Sequence, residues 1–232
     1  MSADAGQAAP PGWRVAALVA LGAQVLALFL VAGYVLSKEL PSAATGYLDA
    51  GHSFFTGVLT LWWALLLGRL TLGRGVVPGE YLDRVRRVLT FAFPLLTTFR
   101  GVLWGVTALA LAGGATQGHP VALTALMTVW GASIIASYMS FFWLVRWADP
   151  QPAATGPGPA HAKAQLEDWL NLSAALALGM TVVNVVPITG FSVNLSQTDQ
   201  WVYGLSGLLD VAATLLALQA VRLTGPAARA SG

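Results

Sequence analysis

The sequence predicts an all-α protein, a polytopic bundle of six membrane-spanning helices with both termini cytoplasmic. Three observations carry that reading. Of 232 residues, 56% are hydrophobic and 9% are charged, against roughly 25% charged in a soluble domain. The apolar residues fall into six windows bounded by Gly, Pro or charge, each near the ~20 residues that cross a bilayer. The basic residues gather on alternate connections, which is the bias that orients spans in a membrane.

The N-terminal residues 1–12, MSADAGQAAPPG, read as a disordered tail. They lack the basic stretch of a secretory signal. The apolar run from Val15 to Leu36 is also longer than the roughly 7–15 residues of a signal core. The small residues Pro41-Ser42-Ala43-Ala44 resemble a cleavage site, but the run is read as the first span, 13–37. Four spans follow at 53–73, 88–113, 121–146 and 167–190, and a sixth at 201–222. Between the fourth and fifth, Asp149 to Ala160 (DPQPAATGPGPA) is rich in Pro, Gly and Ala. That composition predicts a flexible cytoplasmic loop, 149–160, between two three-helix halves. Residues 223–232 form a C-terminal tail. Halves of inverted topology occur in transporters, but Pro94 and Arg100 of span three have no counterparts in span six.

Orientation follows from the basic residues. Arg14, Arg69, Arg74, Arg84, Arg86, Arg87, Arg146, Lys163, Arg222 and Arg229 all fall at one side, and Lys38 alone at the other. The richer side is the cytoplasmic one. Trp13, Tyr81, Trp147 and Trp169 lie near the inner boundary, and Tyr34, Tyr47, Trp201 and Tyr203 near the outer. Aromatic belts of this kind anchor helices at the interface. The segment from Tyr81 to Arg87 is a basic lead-in suited to anionic headgroups.

Composition also excludes some classes. A net charge of +2, with basic residues at helix ends rather than in a patch, is no nucleic-acid footprint. The chain has no cysteine, which removes thiolate catalysis and Cys-ligated metal. Ten arginines to two lysines, with abundant Ala, Leu and Gly, suggest a GC-rich prokaryotic source.

The chemistry concentrates at mid-depth. Counting at 1.5 Å per residue from the span ends puts Arg100 near the centre of span three and Asp210 near the centre of span six. Ionisable groups at membrane depth are costly and mark functional sites. Their opposite charges make each the other's candidate partner. Gln24 and Ser133 fall at the same depth in spans one and four.

Helical spacing extends this layer. Thr97, Arg100, Trp104 and Thr107 share one face, and Tyr203, Ser206, Asp210 and Thr214 another. Further stripes are Ser53, Thr56 and Thr60; Ser133, Ser137 and Ser140; and Ser173, Ala177, Thr181 and Asn184, the last nearer the outer side. Small and hydroxyl residues also let helices pack closely, so helix packing and the lining of a hydrated pocket both account for these stripes. Gly101 and Gly105 form a GxxxG packing motif. Pro94 and Pro187 free the carbonyls of Thr90 and Val183, and simple kinks are favoured over coordination.

Other motifs carry less. Gly204-Leu205-Ser206-Gly207 matches the GxSG of rhomboid-type intramembrane proteases, but no histidine follows Ser206 to act as base. His52 and His119 begin spans two and four at the outer surface, with Asp49 one turn before His52. They are read as surface histidines rather than metal ligands. His161 lies in the flexible loop.

No catalytic residue, metal or cofactor is expected. The expected function is a small transporter, permease subunit or channel-like protein of the cell (inner) membrane. Its ligand, a small molecule or ion, would be held by Arg100, Asp210, Gln24, Ser133, Thr97, Thr214 and Asn184. The alternative is a non-catalytic or assembly subunit of a membrane complex, with Arg100 and Asp210 fixing helix register. A membrane enzyme is the third reading. Lipids are the expected surroundings, a membrane-protein partner fits the second reading, and nucleic acid fits none.

Overall fold

Proline opens α1, α4 and α5, at the position where its missing N–H costs nothing and its fixed φ suits the helix. The computed structural model describes residues 11–38, 43–71, 79–114, 120–148, 158–185 and 196–224, apart from some side chains within the helices. It contains α1 (Pro11–Ser37), α2 (Ala43–Thr71), α3 (Gly79–Ala112), α4 (Pro120–Ala148), α5 (Pro159–Val185) and α6 (Gln197–Leu223). The described residues include no strand. Arg69, Arg146 and Arg222 lie in the last turns of α2, α4 and α6, where a cation complements the helix dipole. The turn after α3 ends at Gly114, whose φ of 72° is a left-handed conformation that glycine adopts without strain. α6 starts on a reciprocal cap, with the Ser196 hydroxyl accepting from the Asp199 N–H and the Asp199 carboxylate accepting from the Ser196 N–H.

Each predicted span falls on a helix, and most helices run past their apolar windows. α2 begins ten residues before the predicted start of span two at 53, because the Ala- and Gly-bearing lead-in Ala43 to Gly51 continues the helix. α5 begins at Pro159, so His161 belongs to a helix and not to a loop, and its ring meets Trp143 edge-on at 5.6 Å. The rest of the predicted loop, 149–157, and the residues 186–190 at the end of span five lie outside the described residues, as do His119 and Pro187. α3 continues through Pro94.

Four helices contain stretches long and apolar enough to cross a membrane: Gly12–Ser37, Asp49–Thr71, Met127–Ala148 and Gln197–Leu223. α3 holds a shorter apolar stretch, Leu95–Ala110.

α1 packs along both α2 and α6, α6 along α5, and α5 along α4. α2 touches α4, and α3 lies against α4 and more lightly against α2. Lys38 after α1 meets Asp199 at the start of α6, and Tyr203 of α6 meets Asp49 near the start of α2. One end of the bundle, the far end, therefore gathers the end of α1 and the starts of α2 and α6. The start of α1 and the end of α6 share the opposite, terminal end. There Lys163 of α5 donates to the Arg222 carbonyl at 3.2 Å.

Glycines set the close approaches. A Cβ at Gly57 would lie 2.9 Å from the Phe29 ring, and one at Gly131 would lie 3.2 Å from the Trp104 nitrogen. One at Gly207 would collide with the Thr181 hydroxyl. Gly101 and Gly105 meet nothing within 4 Å, so the GxxxG motif of α3 packs against no described residue of its own chain.

Among the described residues the core is asymmetric. The terminal half is filled by one apolar cluster that includes Leu21, Leu66, Leu67, Leu144, Leu166, Ala217 and Val221. Toward the far end the described apolar cluster is Val31, Val35 and Ala50, joined by Val202 and Tyr203.

Candidate ligand site at mid-depth

Between these two cores lies a polar layer. Gln24, Arg100, Ser173 and Asp210 all stand about twelve residues from the far end of their helices, roughly 18 Å along the axis. His52 and Ser53 of α2 lie slightly nearer that end. α3 turns Leu96 and Arg100 inward, at 9% and 8% exposure, and Leu95 and Val102 outward, at 70% and 59%. On α6, Ser206 and Asp210 continue the inward line of Ala213 and Ala217. Both polar residues keep part of their surface accessible while the alanines below them are buried.

Arg100 and Asp210 lie within electrostatic range of each other. They form no hydrogen bond or ion pair within 4 Å, so the predicted partnership is one of long-range attraction and not of contact. The Arg100 Nε is buried without a hydrogen-bond partner. His52 is the residue that sequence reasoning set aside. It is half-buried, its Nδ1 is buried and unpartnered, its ring sits edge-on to Trp130 at 6.0 Å, and it lies within range of the Arg100 charge. It is therefore not a surface histidine. The early start of α2 carries it into the bundle, and that extension was the signal available in the sequence.

Gln24 is 4% exposed and its Oε1 has no partner, and the buried Ser173 Oγ has none either. Unsatisfied buried polar atoms are uncommon and call for an explanation. Others occur at Arg14, Trp63 and Trp143, on separate helices at other depths.

The remaining predicted residues contribute less. Thr97 and Thr214 are half-buried. Ser133 spends its hydroxyl on the Trp130 carbonyl of its own helix at 2.7 Å. Thr56, Thr60 and Thr181 likewise bond their own helices, and Ser137 is exposed rather than inward. Asn184 lies in α5 with its side chain outside the described ones. Trp104 donates to the Met127 carbonyl at 2.7 Å, tying α3 to α4, and does not pair with Arg100. Ser206 bonds no described histidine, and Gly207 beside it serves the packing of α6 on Thr181.

A second polar group closes the far end, and sequence reasoning missed it. Asp199 accepts from the Tyr34 hydroxyl at 3.0 Å, pairs with Lys38 and caps α6 through Ser196. The Lys38 ammonium lies 4.7 Å from the Tyr34 ring centroid. Its hydrogen bond to Asp199 raises its pKa above the usual lysine value, against the opposing effect of burial. Asp49 accepts from Tyr203 at 3.1 Å, which makes it a tie between α2 and α6 and not a partner of His52. The legible signal was Ser196 three residues before Asp199, a helix-start pattern.

Comparison with protein-family models, with curated proteins and with solved structures finds no match. The assignment of function rests on the geometry alone.

Proposed function

We propose that the chain is a small multi-pass protein of the cell (inner) membrane, with six spans and both termini cytoplasmic. It acts as a transporter or permease subunit that binds a small polar or ionic ligand in the layer of Gln24, His52, Arg100, Ser173 and Asp210. Large apolar side chains face outward, among them Val19 at 66%, Leu30 at 64% and Leu109 at 74% exposure, while Gln24, Ser53 and Arg100 are buried. A soluble monomer seldom exposes such surface, and lipid would cover it. The ten basic residues assigned to one side would place the terminal end in the cytoplasm.

The observation that carries the reading is Arg100. It is a guanidinium buried at mid-helix with an unbonded Nε and, among the described residues, no ionic partner within 4 Å. Such a group is expensive to keep, and a ligand or water that enters the layer offsets that cost. The packed terminal half favours a transporter over a standing pore.

The test is the melting midpoint of the purified protein in detergent across a panel of ions and small polar solutes. A ligand of this site raises the midpoint of the wild type by several degrees and leaves Arg100→Gln unmoved. A panel in which Arg100→Gln responds as the wild type does would refute the site.

The second reading is a non-catalytic or assembly subunit of a membrane complex. It is favoured by α3, which leans on α4 and leaves Gly101, Gly105, Phe91, Leu95 and Leu109 uncovered. Stoichiometric partners retained through purification in mild detergent would select it.

A further inference from the structure

We infer that the ligand of the mid-depth layer is a small zwitterion bearing a carboxylate and a primary ammonium, as a neutral α-amino acid does. This rests on the proposed ligand site and goes further by naming the ligand's chemistry. Arg100 on α3 lies within electrostatic range of His52 on α2 and of Asp210 on α6, and Gln24 on α1 and Ser173 on α5 stand at a similar count from the far ends of their helices. Arg100 is the only fixed cation among the described residues of the layer, with its Nε hydrogen unspent. Asp210 is the only fixed anion among them, and the acceptor Oε1 of Gln24 is unspent. α3 does not pack along α6, so the two charges attract across the layer without closing on each other.

Charge balance selects among ligands. The layer carries one positive and one negative side chain, so a neutral ligand leaves its balance unchanged. A simple anion would satisfy Arg100 and leave Asp210 unmatched beside it, and a simple cation would do the reverse. Either leaves a net charge away from water, where it is costly. A zwitterion presents its carboxylate to Arg100 and its ammonium to Asp210. The acceptors decide the kind of cation. Gln24 Oε1 and the Asp210 carboxylate accept from hydrogen donors, which a primary ammonium has and a quaternary one lacks. No further charged group of the described layer calls for a charged side chain on the ligand.

The experiment uses the full chain in detergent. Binding is read by thermal shift and by scintillation proximity for each neutral L-α-amino acid, its decarboxylated amine, its deaminated acid, and glycine betaine. At least one amino acid is expected to bind, with its amine, its acid and betaine weaker by roughly thirtyfold or more, the loss typical of an unpaired buried charge. Arg100→Gln and Asp210→Asn should each lose the amino acid while remaining monodisperse and helical. Arg100→Gln should spare the residual amine binding, and Asp210→Asn that of the acid. An acid that binds as tightly as its amino acid overturns the zwitterion in favour of an anion. An equally tight amine or betaine overturns it in favour of a cation.

Silence from every compound overturns the proposal as well. In that case sodium chloride, inorganic phosphate and small sugars are tested on the wild type and Arg100→Gln. A response confined to the wild type keeps the ligand site and discards only the zwitterion. No difference between the two proteins discards both.

Discussion

Arg100 and Asp210 hold charge in a place where apolar side chains would cost less. Replacing a buried charged pair by hydrophobic residues of similar size is commonly neutral or stabilising by about 1–4 kcal/mol. The double variant Arg100→Met/Asp210→Leu is accordingly expected to melt at or above the wild-type temperature in detergent. A drop of several degrees would instead make the two charges a structural device. At Gly207 the expectation has the opposite sign. A methyl group there meets the Thr181 hydroxyl, which is itself committed to the Ala177 carbonyl at 2.8 Å. Gly207→Ala should destabilise by roughly 1–3 kcal/mol, as overpacking does. The loss should shrink in a Thr181→Ala background, where the colliding hydroxyl is absent, and a double-mutant cycle on thermal midpoints reads that coupling.

At the scale of the helix, Asp199 joins the ends of two elements, α1 and α6, through three partners. It caps α6, accepts from Tyr34 of α1 and pairs with Lys38. Asp199→Ala should cost about 0.3–1.5 kcal/mol through the lost capping box alone. Lys38→Met should cost less than about 1 kcal/mol, because Lys38 is one-third exposed and solvent screens its pair. The raised pKa of Lys38 fixes the pH window. Its contribution is fully present below the usual lysine value of 10.5 and is lost as pH rises through the higher folded value. Comparing wild type with Lys38→Met from pH 9 upward by thermal melting should find the difference narrowing, and a difference that widens would contradict the assignment.

The helices were legible because apolar windows separated by Gly, Pro and charge leave little choice of element. Their starts were less legible. The stretch Ala43 to Gly51 is not apolar enough to announce a span, yet its composition sustains a helix. That difference moved His52 from the surface into the polar layer. Arg100, Asp210 and Gln24 were legible from depth alone, since a polar side chain at mid-helix has few places to go. For Ser133, depth does not reveal that its hydroxyl donates to the Trp130 carbonyl of its own helix. The ties Lys38–Asp199 and Tyr203–Asp49 join residues more than 150 positions apart, and no local pattern encodes such pairs.

At the scale of the molecule, the described residues close the polar layer unequally. Toward the terminal end stand fully buried side chains such as Leu66, Leu67, Leu144 and Leu166, and toward the far end, among the described residues, a few apolar ones beneath two polar ties. The chain has no cysteine, so single cysteines report access without background. Ser173→Cys and Ser206→Cys should react with a membrane-impermeant thiol reagent applied to the far side and not to the terminal side. Leu67→Cys should react from neither. Labelling of Ser173→Cys from the terminal side would reverse the assigned direction of entry.

The same asymmetry governs how the molecule would sense voltage. An electric field across a bilayer falls mostly over the poorly conducting part of the path, and under the proposed function that part would be the apolar cluster of the terminal half. If water reaches Arg100 and Asp210 from the far side, as that proposal requires, they would sit near the electrical potential of that side. Ligand entry would then do little electrical work, whatever the ligand's charge. Parting the cluster would carry the electrical cost, up to about 2.3 kcal/mol per unit charge moved for each 100 mV.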